Sequence, residues 1–150
     1  MLVKDVMIKD VRTVKKDDPV RSVAVVICTN KISGLPVVEG ENRLVGMISE
    51  KDILNALLPG YRNFLRDPIR ARDFDSMLDA YQDVLSKKVE ELMTHRVFSV
   101  SPDDPVMLAA SQMDLHRFRR IPVVVEGDKL VGIVSLGDIH KAIFKRELAM

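Results

Sequence analysis

Val20, Val23, Ala24, Ile27 and Cys28 stand at positions i, i+3, i+4, i+7 and i+8. That spacing puts apolar side chains on one face of an α-helix. Val106, Ala109, Ala110 and Met113 form a second stripe of the same kind. Each stripe follows Asp-Asp-Pro-Val. Asp18 reads as an N-cap with Pro19 at the first helical position, and Asp103-Asp104 precede Pro105 in the same way. Upstream of the stripes, residues 11–14 and 97–100 predict a first strand. Downstream, 35–38 and 44–48 are β-branched runs separated by Glu39-Gly40-Glu41-Asn42-Arg43, a hairpin signal. The runs 121–125 and 130–134 repeat that signal around Glu126-Gly127-Asp128. A closing helix is predicted over 49–58 and again over 135–144.

The two series are one segment written twice. Residues 3–58 align with 89–144 at an offset of 86 without a gap, and 19 of the 56 aligned positions are identical. Asp-Asp-Pro-Val, Pro-Val-Val, Leu-Val-Gly and Ser-x-x-Asp-Ile are shared. A repeat constrains architecture before any single residue is read. We therefore divide the chain into a first repeat (1–58), an insert (59–88) and a second repeat (89–150). In the insert, Pro59-Gly60 and Asp67-Pro68 are breaks. Phe74, Met77, Leu78, Tyr81 and Leu85 then fall at helical spacing. Four of the seven aromatic residues, Tyr61, Phe64, Phe74 and Tyr81, lie here. They suit a helix capping the repeat interface or, alternatively, one that binds a partner.

Composition narrows the class. With 150 residues, the chain has the length of a single domain and enough material for a core without staples. One cysteine, Cys28, excludes an internal disulfide and fits a reducing compartment; its stripe position predicts packing. The 23 basic and 22 acidic residues balance to +1, which gives no prediction of nucleic-acid or membrane binding. No apolar run approaches the ~20 residues of a membrane span, and the charged N-terminus has no signal-peptide core. A cytoplasmic protein is the expectation.

With Pro-Val-Val and Leu-Val-Gly-x-x-Ser-x-x-Asp-Ile present twice in register, the chain resembles a tandem pair of CBS (cystathionine β-synthase) domains. The resemblance covers both repeats and leaves out the insert. It implies an α+β fold, with two β-α-β-β-α repeats packed in pseudo-two-fold symmetry, and a free-standing module that forms a homodimer. It also implies a regulatory function: binding of an adenosine compound such as AMP, ADP, ATP or S-adenosylmethionine in clefts between the repeats, with no catalysis and no obligatory cofactor.

Ser49-x-x-Asp52 and Ser135-x-x-Asp138 come first among the candidate site residues. Ser-x-x-Asp at a helix start is close to a capping box. The same geometry offers unpaired N–H groups to phosphate, and an acceptor-only carboxylate to the two hydroxyls of a ribose. The resemblance implies ribose at the aspartate and phosphate near the serine. Some family members carry a hydroxyl residue just before the aspartate; Lys51 and Gly137 stand there in this chain. Lys51 supplies a phosphate charge, and Gly137 does not.

His116-Arg117-Phe118-Arg119-Arg120 precedes Ile121-Pro122, whereas Asn30-Lys31-Ile32-Ser33-Gly34 precedes Leu35-Pro36. Guanidinium forks bind phosphate bidentately, although charge clusters are usually solvated faces. The resemblance pairs Arg119 or Arg120 with Asp52, and Ser33-Gly34 with Asp138. The Asp52 cleft then suits the more anionic ligand. It also implies adenine contacts, mostly main chain and apolar, from Val11, Arg12 and Thr13 with Leu35, Pro36 and Val37, and from Val97, Phe98 and Ser99 with Ile121, Pro122 and Val123. These residues are equally well explained as core.

Other chemistry finds little support. The three histidines are not spaced as a metal set, and no phosphate loop, dinucleotide fingerprint or nucleophile elbow occurs. The Asp-Asp pairs read as caps. The runner-up function is a ligand-independent interaction or dimerisation module working through the insert. An independent enzyme ranks below it, and nucleic-acid binding rests on the 117–120 stretch alone. Neither the adenosine compound nor a regulated partner protein is named by the residues.

Overall fold

The computed structural model describes residues 1–58, 65–69 and 74–149. The architecture is α+β. The chain forms two compact units whose borders are not those of the repeats: Thr13–Val38 with Val45–Arg96, and Met1–Arg12 with Glu39–Leu44 and Val97–Met150.

In the first-repeat unit, β1 (Val14–Lys15) runs parallel to β2 (Gly34–Glu39), with Val14 opposite Val37. β3 (Arg43–Ser49) flanks β2 on its other side. Helix α1 (Val20–Thr29) buries Val20 and Val23. They join Leu35, Val37, Ile48 and Ile53, the last from α2 (Glu50–Asn55), in one apolar core. The insert contributes α3 (Phe74–Asp79) and α4 (Tyr81–Ser86), and α5 (Val89–Leu92) follows. Val84, Leu85, Val89 and Met93 complete that core.

In the second-repeat unit, α6 (Val106–His116) buries Val106, Ala109, Ala110 and Met113, the stripe expected from spacing. β4 (Arg120–Val125) pairs antiparallel with β5 (Lys129–Ser135), Arg120 facing Ser135 and Pro122 facing Ile133. Helix α7 (Leu136–Glu147) closes the unit over Ile139. The hairpin tip at 39–44 belongs to this unit: Arg43 pairs with Lys129, and Leu44 N–H donates to the Asp128 carbonyl at 2.9 Å.

The segment leading into each repeat folds onto the other. Val3 N–H donates to the Asp104 carbonyl at 2.8 Å, and Ile8 bridges Ile133 in both directions at 2.8 and 3.0 Å. At the equivalent positions, Val89 N–H donates to the Asp18 carbonyl at 2.8 Å and Thr94 bridges Met47. This exchange explains the glycine of Leu-Val-Gly. A Cβ on Gly46 would lie 2.7 Å from the Met93 sulfur and 2.9 Å from the Thr94 carbonyl oxygen. On Gly132 it would lie 2.8 Å from the Met7 sulfur and 3.0 Å from the Ile8 oxygen.

Four expectations are corrected. The first strand begins later than 11: β1 is Val14–Lys15, and its counterpart shrinks to one bridge between Val100 and Val123. Asp18 and Asp104 do not cap the helices; Pro19 and Pro105 occupy the N-cap position without a side-chain bond. One residue too early to reach the helix N–H groups, each aspartate turns back. Asp18 accepts from Lys15 N–H at 2.9 Å, and Asp104 from Ser101 N–H at 2.8 Å. Cys28 is exposed, because it lies roughly 80° around the helix from Val20 at about 100° per residue, on the margin of the stripe. The insert's helix is two short helices broken at Ala80. Tyr81, Val84 and Leu85 reach the first-repeat core, and Phe74 and Leu78 stay exposed. Pro59-Gly60, Tyr61 and Phe64 lie outside the described residues.

Candidate functional site

Each unit builds the same junction from its own repeat. β3 ends at Ser49, whose extended backbone (φ −126°, ψ 165°) makes it the N-cap of α2. Its Oγ accepts from Asp52 N–H at 3.3 Å. The Asp52 carboxylate accepts in return from Ser49 N–H at 2.9 Å and from the Ser49 hydroxyl at 3.1 Å, through the same oxygen, Oδ2. The capping box read from the sequence is therefore complete. Glu50 N–H, the first of the helix, donates to the Ser33 carbonyl at 2.8 Å. Gly34 lies against this turn: a Cβ there would sit 3.1 Å from the Ile48 oxygen and 3.4 Å from Ser49 Cβ. Ser33, Gly34, Ser49 and Asp52 thus converge. Thr13 is half-buried just before Val14, which faces Val37, and Lys51 is exposed on α2.

The second repeat repeats the junction without the two bonds to the aspartate carboxylate. Ser135 caps α7 and its Oγ accepts from Asp138 N–H at 3.0 Å. Among the described residues, nothing donates to the Asp138 carboxylate. Leu136 N–H donates to the Arg119 carbonyl at 2.9 Å, and Arg120 faces Ser135 across the β4–β5 ladder. Arg119 is exposed and Arg120 half-buried, and neither forms an ion pair among the described residues. Around Gly137 there is open space, with nothing closer to a notional Cβ than Ser135 Oγ at 4.0 Å. Ser99 is exposed, next to Val100, whose N–H donates to the Pro122 carbonyl at 3.0 Å.

Leu35, Pro36, Ile121 and Pro122 are buried in the units that contain them. Their side chains are core, so what they can offer an adenine is backbone. Phe98 takes part in a contact that the sequence reading did not anticipate: it stacks on His116, which stacks on Phe118, and it lies tilted against Phe118. The available signal was the replacement of Arg12, Asn30 and Ile32 by three rings at the repeat offset. No group of His, Cys, Asp or Glu among the described residues is placed to hold a metal ion, and no described helix is long and apolar enough to cross a membrane.

The CBS domain family matches residues 3–59 and 89–145. The chain belongs to the CBS domain family. An uncharacterized protein of Methanocaldococcus jannaschii is 34% identical over 154 residues, covering 95% of this chain and 91% of that protein. Several other relatives are longer, and this CBS pair spans only 22–24% of their length. Among solved structures, the CBS domain pair of protein MJ0100 in complex with 5'-methylthioadenosine and S-adenosyl-L-methionine matches with a TM-score of 0.71 and 26% identity. The alignment covers 97% of this chain and 98% of that one. CBSX2 in complex with AMP matches with a TM-score of 0.74 and 28% identity, over 97% and 98%. The α+β expectation and the family resemblance are thereby borne out.

Proposed function

We propose that this CBS pair is a regulatory module, not an enzyme, that binds an adenosine compound in the clefts between its repeats. AMP, ADP, ATP and S-adenosylmethionine are the candidate ligands. The observation that carries the reading is the junction built twice. In each repeat a Ser-x-x-Asp helix start is hydrogen-bonded to the residue leading into the Pro-Val-Val strand. Relatives of the same fold are complexes with S-adenosyl-L-methionine, 5'-methylthioadenosine and AMP.

The parts have distinct tasks in this reading. Asp52 and Asp138 accept from the ribose hydroxyls; Asp138 offers both oxygens, and Asp52 has Oδ2 already engaged. Ser49, Lys51, Ser135, Arg119 and Arg120 face phosphate or another anionic group. Thr13, Ser99, Ser33, Gly34 and the backbone of Leu35, Pro36, Ile121 and Pro122 border the base. The more anionic ligand goes with Asp52 and the arginines, and the less charged one with Asp138. A bound ligand regulates only by as much as it favours one arrangement over another.

Thermal unfolding tests this. At a hundred times its Kd, a specific ligand adds about 2.7 kcal/mol, or about 5–10 °C for a chain of this length. One of AMP, ADP, ATP or S-adenosylmethionine should produce that shift, and Asp52→Ala or Asp138→Ala should reduce it. Equal loss in the two variants for a triphosphate would refute the charge asymmetry. No shift with any of them would favour the second reading, a ligand-independent interaction module. The Ser49–Asp52 capping box, complete within the protein itself, is the observation on that side.

A further inference from the structure

We propose that the ring cluster of the second repeat, with the arginines beside it, is a docking surface for single-stranded nucleic acid. Phe98 and His116 stack with centroids 3.8 Å apart and planes within 20°, and His116 and Phe118 lie 5.6 Å apart within 25°. The cluster is held by the end of α6. Arg117 adopts a left-handed conformation (φ 59°), and Phe118 N–H donates back to the Met113 carbonyl at 2.8 Å. Phe98 and Phe118 are each 39% exposed, which leaves ring surface open to a planar partner. Arg117, Arg119 and Arg120 follow at the same turn, and none forms an ion pair among the described residues. Against these three arginines stands one exposed acid on the helix, Asp114.

This cluster is not part of what folds a repeat. At the same offset the first repeat carries Arg12, Asn30 and Ile32, so its core forms with no ring at these three positions. Ring planes that stack through His116, with Phe98 and Phe118 tilted 43° to each other, stand beside guanidinium groups unpaired among the described residues, and match the alternation of base and phosphate along an unpaired strand. Bases stack on the rings, and phosphates meet the arginines. A duplex offers the charges without the base faces. An acidic polypeptide offers them without planar groups in register.

The test uses the full chain and a fluorescently labelled, unstructured RNA, with its duplex and polyglutamate as comparisons, read by anisotropy. The single strand should bind more tightly than either. Phe98→Leu and Phe118→Leu keep the apolar packing but remove the flat ring, and each should weaken binding roughly 5- to 150-fold. Three arginine contacts predict a slope of about −2 for log K against log salt, and Arg117→Ala should reduce it by about 0.7. Stabilisation by AMP should be unchanged in Phe118→Leu, which separates the ring cluster from the adenosine site even though Arg119 and Arg120 serve both. Absence of binding at low salt, equal affinity for the duplex, preference for polyglutamate, or full affinity in Phe118→Leu would each overturn the proposal. Loss of the AMP shift in Phe118→Leu would also overturn it, by making the cluster part of the adenosine site.

Discussion

Asp52 and Asp138 hold the same place in their repeats, yet their carboxylates are used differently. Asp52 returns two hydrogen bonds to Ser49, at 2.9 and 3.1 Å. Asp138 uses its backbone N–H to meet Ser135 Oγ, and its carboxylate receives nothing from the described residues. The two truncations should therefore separate stability from binding. Asp52→Ala removes the return half of a capping box on a half-buried turn and should cost about 1 kcal/mol in urea unfolding. Asp138→Ala should stay within roughly 0.5 kcal/mol. A loss as large for Asp138→Ala as for Asp52→Ala would mean that the two carboxylates do the same structural work. Residue-scale legibility followed chain distance. Ser49 and Asp52 are three apart and announced their cap. Asp18 looked like a cap too, but one residue of offset turned it onto Lys15. The stack of Phe98 on His116 joins residues eighteen positions apart in chain number, beyond the reach of any local pattern.

At the scale of elements, the β2–β3 and β4–β5 hairpins were legible because β-branched runs and a short turn are local signals. The structure extends all four strands by a residue or so at their ends. β1 was less legible because two residues pairing in parallel with a distant strand leave almost no alternation to read. The lone bridge at Val100 leaves still less. The glycine of Leu-Val-Gly was visible twice in the sequence, but its reason was not, since the atoms that crowd it come from the segment leading into the other repeat. That reason is testable. Gly46→Ala places a methyl group against the Met93 sulfur and the Thr94 carbonyl oxygen, and should cost about 1–3 kcal/mol. On a Met93→Ala background, with the cost of that core truncation subtracted, Gly46→Ala should cost less but still something, because the backbone oxygen at 2.9 Å remains. No cost of Gly46→Ala on that background would assign the crowding to the side chain alone.

At the scale of the whole molecule, duplication in sequence and compactness in space divide the chain differently. The segment 1–8 opens the first repeat but bonds to the second, and 87–94 runs into the start of the second but bonds to the first. An alignment reports which residues correspond and is silent on which copy a leading segment packs against. The exchange makes each unit dependent on a segment distant in sequence. Deleting residues 1–8 removes the carbonyls that accept from Val106 N–H at 3.1 Å and from Ile133 N–H at 3.0 Å. In the first-repeat unit, Val20 N–H donates to the Lys87 carbonyl at 2.8 Å and Met47 N–H to the Thr94 carbonyl at 3.1 Å; the deletion leaves both acceptors in place. Amide hydrogen exchange should therefore quicken at Val106 and Ile133, the second-repeat positions, because local opening free energy falls where backbone bonds are lost. Val20 and Met47 should keep their protection. If instead Val20 and Met47 lost protection while Val106 and Ile133 kept theirs, the leading segment would belong to its own repeat and the exchange would be wrong.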